Sequence, residues 1–172
     1  MQYLQTLPQD EAGVFGLAED ILLQQGLRVT DRATDRPWGG YLVIDPEQAR
    51  DFAAFFFPEI GFDSLRIGGH LSPKILLVKP QHRLSWQYHF RRAEIWKLVG
   101  GTAAVTTSDD DVERHHRSLK PDEVIRLRQG ERHRLIGGSG WGMVAEIWQH
   151  TDPDHPSDES DIVRLQDDFR KV

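Results

Sequence analysis

Between Arg83 and Gly101 the chain reads RLSWQYHFRRAEIWKLVGG. In the strand expected over 84–89, Leu84, Trp86 and Tyr88 alternate with Ser85, Gln87 and His89. Successive strand side chains point to opposite faces, so Gln87 and His89 project from one face, about 7 Å apart along it. Glu94 follows a short turn, and an antiparallel return can bring its carboxylate beside His89. His133 sits just after a Gly130 turn, at the head of a later strand. Gln87, His89, Glu94 and His133 offer an amide oxygen, two imidazoles and a carboxylate. That set suits a borderline divalent cation with positions left open for a substrate, zinc first, with Mn, Fe, Co or Ni as alternatives. Against this, Gln87 could bond a neighbouring backbone group, and His133, between Arg132 and Arg134, could be a surface histidine.

The elements that must position these residues can be read from texture. Glu11–Gln25 reads as a helix with Val14, Leu17, Ala18, Ile21 and Leu22 on one stripe, stopped by Gly26. Residues 32–40 (RATDRPWGG) read as loop or turn and 41–44 as a short strand. A second helix follows, capped by Asp45 with Pro46 first and Gln48 three residues after the cap. Its Ala49, Phe52, Ala53 and Phe56 share a face that covers the core or, alternatively, a dimer partner. From Ser72 on, eight short strands are expected, over 74–78, 84–89, 94–99, 102–107, 114–119, 123–127, 133–136 and 143–149. A last strand or short helix is expected over 161–165. Such short strands separated by Gly, Pro and Asp suggest a barrel or jelly roll rather than a βαβ fold.

Composition narrows the classes. The chain has 172 residues, 21 Lys+Arg against 27 Asp+Glu, a formal charge of −6, and no cysteine. It is one domain's length, and a disulfide scaffold, thiolate metal site or Cys nucleophile is excluded. The acidic balance and lack of a Lys/Arg block argue against nucleic acid. No apolar run approaches the roughly 18 residues of a membrane span. The opening MQYLQTLPQDEAG lacks the basic and apolar regions of a secretory signal. A cytoplasmic protein without membrane or nucleic-acid partners is the expectation, and a homodimer is the expected assembly.

Other features carry less. His115 and His116 are adjacent, and neighbouring strand residues face opposite sides, so they do not readily bind one ion. Asp109–Asp111 suits a solvated turn and lacks the Gly and Glu spacing of a calcium loop. Residues 137–142 (GGSGWG) are glycine-rich, but no helix follows to cradle a phosphate. Trp38, in its glycine-rich loop, could line a sugar pocket, while the other tryptophans suit the core.

The stretch around Gln87, His89, Glu94 and Gly101 resembles the first cupin motif, and residues 127–133 (LRQGERH) resemble the second, with Arg128 where Pro is usual and Gly137 where Asn is usual. A closer resemblance is to the cupin domain of type II mannose-6-phosphate isomerases, often fused to a mannose-1-phosphate guanylyltransferase. It rests on residues 36–41 (RPWGGY), 74–96 (KILLVKPQHRLSWQYHFRRAEIW), 146–149 (EIWQ) and 161–168 (DIVRLQDD). The chain departs from that family at Phe90 and Arg91, which follow His89 where a triple His is usual, at Ile95, where His precedes the Trp, and at Gln81, where Gly follows the Pro.

The resemblance implies an all-β fold with added helices. Its core is the cupin double-stranded β-helix, an antiparallel jelly-roll barrel over 36–172, with residues 1–35 as a helical extension. It implies a metal set of Gln87, His89, Glu94 and His133, and an aldose–ketose isomerase acting on a small-molecule sugar phosphate. In that reaction Arg92 would bind phosphate or stabilise the enediolate, and Lys74 would shuttle protons. Read alone, both could be surface charges or ion-pair partners of Glu94. Two rival readings are a carbohydrate-binding cupin without turnover and another metal-dependent cupin enzyme such as an Fe(II) oxygenase.

Overall fold

The structure, a computed structural model, describes residues 1–170. Helix α1 (Glu11–Gln24) begins at Asp10, whose carboxylate accepts from the Gly13 amide at 2.8 Å. It buries Val14, Phe15, Ala18 and Leu22, and Gly26, at φ +68°, ends the run. A hairpin follows, β1 (Val29–Arg36) and β2 (Gly39–Ile44). Residues 32–36, expected as loop, are therefore strand. The sequence hid this because β1 is a sheet edge whose side chains are mostly exposed, so backbone pairing holds it without apolar alternation.

A 3-10 turn (Pro46–Gln48) leads into α2 (Ala49–Phe56), and α3 (Phe62–Leu65) is a single turn. Asp45 caps the turn through the Glu47 amide at 2.9 Å, while Gln48 reaches away to the Gly26 carbonyl and the Arg28 amide. Ala49, Phe52, Ala53 and Phe56 are buried against the barrel, so this face is spent on the chain's own core.

The barrel strands are β3 (Leu71–Val78), β4 (Trp86–Tyr88), β5 (Arg92–Ser108), β6 (Arg117–Ser118), β7 (Val124–Leu127), β8 (Arg132–His150) and β9 (Val163–Gln166). All pairings between the named strands are antiparallel, in the order β1-β2-β3-β8-β4-β9, with β5 also paired to β6, β7 and β8. Two expected strand pairs are each one long bent strand. β5 runs through Gly100 and Gly101, and β8 through the glycines of 137–142. Register shifts mark the bend in β5, where Gly101 takes φ +66°. A Cβ there would lie 1.8 Å from the Trp141 carbonyl oxygen, so the two strands can cross this closely only at glycine. The glycines bend the strands around the barrel instead of reversing them. The strand expected over 114–119 shrinks to Arg117–Ser118, because Arg114 turns back to Asp110 at 2.8 Å.

The N-terminal residues pack into the same core. Leu4 exchanges backbone hydrogen bonds with Val99 and Gly101, both at 2.9 Å, and Leu7, Val14, Phe15 and Leu22 join the apolar cluster with Leu77, Ile95 and Ile147.

Candidate metal centre

Inner-face residues of β5 and β8, with β4 and the turn after it, supply the chemistry. Glu94 does not return beside His89 through a β4–β5 hairpin, because β4 pairs with β8 and β9 while β5 pairs with β7 and β8. The chain passes from β4 to β5 through a bend at Phe90–Arg91 instead. Gln87 lies directly opposite His133 in the β4–β8 register.

His89, Glu94 and His133 are each 2% exposed, and one ligand atom from each lies within 4.8 Å of the others. His89 Nε2 is 3.2 Å from Glu94 Oε1, and His133 Nε2 is 3.4 Å from Glu94 Oε2. The tautomers decide what these contacts mean. His89 Nδ1 is 2.6 Å from the Asp161 carbonyl, and His133 Nδ1 is 2.9 Å from the Glu131 carbonyl. A carbonyl only accepts, so each Nδ1 carries a hydrogen and Nε2 is the nitrogen left to serve as a ligand. Two Nε2 atoms thus face one carboxylate. Glu94 Oε2 and His133 Nε2 are buried with no hydrogen-bond partner among the described residues. Leaving buried polar atoms unpaired is costly, and a bound cation removes the cost. The group therefore fits a divalent ion by donor type, tautomer and spacing.

The electrostatics agree. Burial would raise Glu94, but the Arg92 guanidinium holds its carboxyl well below the usual range. Burial pushes His89 down to about 4 despite the Glu94 charge, so its ring is neutral near pH 7. Asp161 fixes the approach to His89 from behind. Its carboxylate accepts from the Phe90 and Arg91 amides at 3.0 Å each and from Ser157 Oγ at 2.6 Å.

Gln87 lines the adjoining cavity, but its side-chain oxygen accepts from Ser85 Oγ. Arg92 is 4% exposed, not a surface charge. It donates from Nε to Glu94 at 2.8 Å, from Nη2 to His89 Nε2 at 3.1 Å and from Nη1 to Ser157 Oγ at 2.9 Å. Its guanidinium also stacks 3.5 Å over the Trp148 ring. Lys74 is buried as well, its Nζ 3.6 Å from the Trp148 ring centroid and paired with the exposed Glu159. His115 and His116 are exposed in a loop, apart from this group.

The cavity in front of Glu94 is about 510 Å3 and is lined by Gln87, Arg92, Glu94 and Lys74, with Trp38 also in its wall. Arg36, Arg164 and Arg170 add positive charge to it. Sequence reasoning singled out neither Arg164 nor Glu146 as a working group. Glu146 is 4% exposed and accepts from Trp96 Nε1 at 3.0 Å. Burial, reinforced by the Glu94 charge, pushes its carboxyl up to about 8. The available signal was a lone acid within an apolar run, MVAEIW.

A model of the family "Mannose-6-phosphate isomerase C-terminal" matches residues 47–167. The xanthan biosynthesis protein XanB of Xanthomonas campestris pv. campestris (strain B100) is 35% identical over 141 residues, 82% of this chain and 24% of that protein. The mannose-1-phosphate guanylyltransferase of Escherichia coli (strain K12) is 30% identical over 141 residues, 82% of this chain and 23% of that protein. The chain thus spans a quarter or less of the length of the curated relatives it matches. Among solved structures, oxalate decarboxylase from Bacillus subtilis superposes with a TM-score of 0.56 at 14% identity, covering 79% of this chain and 30% of that one. At that identity the likeness is one of fold.

Proposed function

The chain is a cupin and belongs to the mannose-6-phosphate isomerase C-terminal family, and from that premise we propose that it is a metal-dependent aldose–ketose isomerase acting on a sugar phosphate. The observation that carries the reading is the meeting of His89 and His133 on Glu94, whose carboxylate lies at the wall of a cavity rich in cations. His89, Glu94 and His133 would hold the divalent ion, with Gln87 beside them once it releases Ser85. Bound there, the ion supplies a Lewis acid for the sugar's carbonyl and hydroxyl oxygens.

The chain's own residues divide the remaining work. Isomerisation takes a proton from C2 and returns one to C1, through an enediol. Glu146 is poised for this, because a carboxyl near 8 exchanges protons readily at neutral pH. Arg92, fixed by four partners, stabilises the negative charge that develops on oxygen. Its contact with His89 Nε2 uses the lone pair a metal needs, so loading requires Arg92 to release that one bond. Lys74 stands across the cavity as a second cation. Arg36, Arg164 and Arg170 suit the phosphate, since guanidinium groups bind it bidentately. The volume of about 510 Å3 suits a small organic ligand.

The test is hydrogen exchange. The metal-loaded protein is incubated with mannose 6-phosphate in deuterated water, and NMR follows deuterium at C2 and formation of the ketose phosphate. Both are expected in the wild type, and both are lost in Glu146→Gln and His133→Ala. The Arg92–His89 contact favours one other reading, a carbohydrate-binding module whose ion position stays closed. Sugar-phosphate binding without exchange under metal loading would establish that reading instead.

A further inference from the structure

Behind the Arg92–Trp148 stack lies a second cavity, of about 590 Å3. Its floor is a buried hydrogen-bond chain. The His150 ring is 3% exposed and engaged at both nitrogens. Nδ1 accepts from the Ser157 amide at 2.9 Å, and Nε2 lies 2.7 Å from Ser72 Oγ. An amide only donates, so Nδ1 bears no hydrogen, and the neutral ring carries its hydrogen on Nε2 and donates it to Ser72. Burial, which pushes His150 down to about 4, keeps the ring neutral. This tautomer excludes a Ser72–His150 nucleophile and base, because the ring has no lone pair left for the Ser72 hydrogen. The Ser72 hydroxyl is instead a donor with no acceptor among the described residues, at the bottom of an open cavity.

The walls are cationic. Arg50 and Arg66 stand over the Phe62 ring, their guanidinium carbons 4.1 and 5.4 Å from its centroid. Stacking holds the planes and leaves the N–H edges free. Arg66 makes no side-chain hydrogen bond or ion pair among the described residues, and the nearest carboxylate to Arg50, on Asp63, is 4.0 Å away. Glu47 is the one acid in the lining, and His70 also lines the cavity. A surplus of donors around an open cleft selects against cations and for a tetrahedral oxyanion.

We propose that this second cavity is a binding site for a phosphate-class anion, clamped by Arg50 and Arg66 and received at its floor by the Ser72 hydroxyl. The proposal is independent of what the first cavity turns over. Inorganic phosphate is the probe, titrated at fixed pH, with the His70 ring resonances as the readout because His70 lines only the second cavity. A saturable shift is expected in the wild type and in Lys74→Met, which alters only the first cavity. In the Arg50→Gln/Arg66→Gln double variant the affinity should fall at least about tenfold, a loss of about 1.4 kcal/mol. Both arginines are exposed, so the variant keeps its fold, checked by an unchanged far-ultraviolet circular dichroism spectrum. A His70 signal that does not move, or that saturates equally in the double variant, overturns the proposal. Glycerol phosphate forms a second arm: tighter binding than inorganic phosphate assigns the site to an organic phosphomonoester, and equal or weaker binding assigns it to the free anion.

Discussion

His89 and His133 each hand their Nδ1 hydrogen to a backbone carbonyl, and that choice makes the centre readable atom by atom. Removing a ligand should cost more than the roughly 10–100-fold in metal affinity that loss of an outer partner costs. His133→Ala and Glu94→Gln should therefore lose the ion in chelator competition, while Asp161→Ala, which keeps the carbonyl and frees only the turn its carboxylate holds, should weaken it by no more than that range. Protonation gives a second prediction. His89 and His150, ordinarily near 6.5, are pushed to about 4, so the unfolded chain binds more protons and stability falls as pH drops below about 6.5. Glu146, ordinarily near 4.5, is raised to about 8, so the folded chain holds the extra proton and its contribution is lost as pH rises toward 8. Without metal, the chain should be most stable near pH 6.5 in urea titrations, and Glu146→Gln should remove the alkaline decline. Gln87, His89, Glu94 and His133 were legible as candidates from residue type, but the hairpin expected to bring Glu94 beside His89 is not the route the chain takes. Glu146 was not legible, because its chemistry arises from burial beside Glu94, which no local pattern announces.

At the scale of elements, the strand textures were readable but their joins were not. A glycine pair between apolar strands reads equally as a reversal or a bend, and only the partner strand decides. In β5 the partner is Trp141 of β8, whose carbonyl takes the space a side chain at Gly101 would need. Gly101→Ala should destabilise by roughly 3 kcal/mol or more, because it adds backbone overlap to a left-handed φ. Gly140→Ala, with open space around its Cβ position, should cost far less in the same urea titrations. The β1 strand went unread for the opposite reason. Its polar run, TDRATDR, has no apolar alternation because one edge and both faces are largely solvated, and the pairing with β2 that defines it is invisible to periodicity.

For the whole molecule, the barrel class was legible because ordered motifs spread over residues 36–168 resemble one family. How residues 1–35 sit was not legible, since an amphipathic helix shows that it packs without showing on what. Leu7, Val14, Phe15, Leu22 and Leu27 are buried in the main core. At roughly 1.5–3 kcal/mol each, these five side chains rival the entire stability of an ordinary domain. A chain beginning at Arg36 should therefore lose its cooperative urea transition. One last consequence follows from the carbonyl of Asp161, which orients His89 across a gap of 72 residues. During synthesis Gln87, His89, Glu94 and His133 all leave the ribosome before that anchor does. A nascent chain stalled between His133 and Asp161 would carry every donor without the anchor for the His89 ring, so the proposed ion site would be completed only in the final stretch of translation.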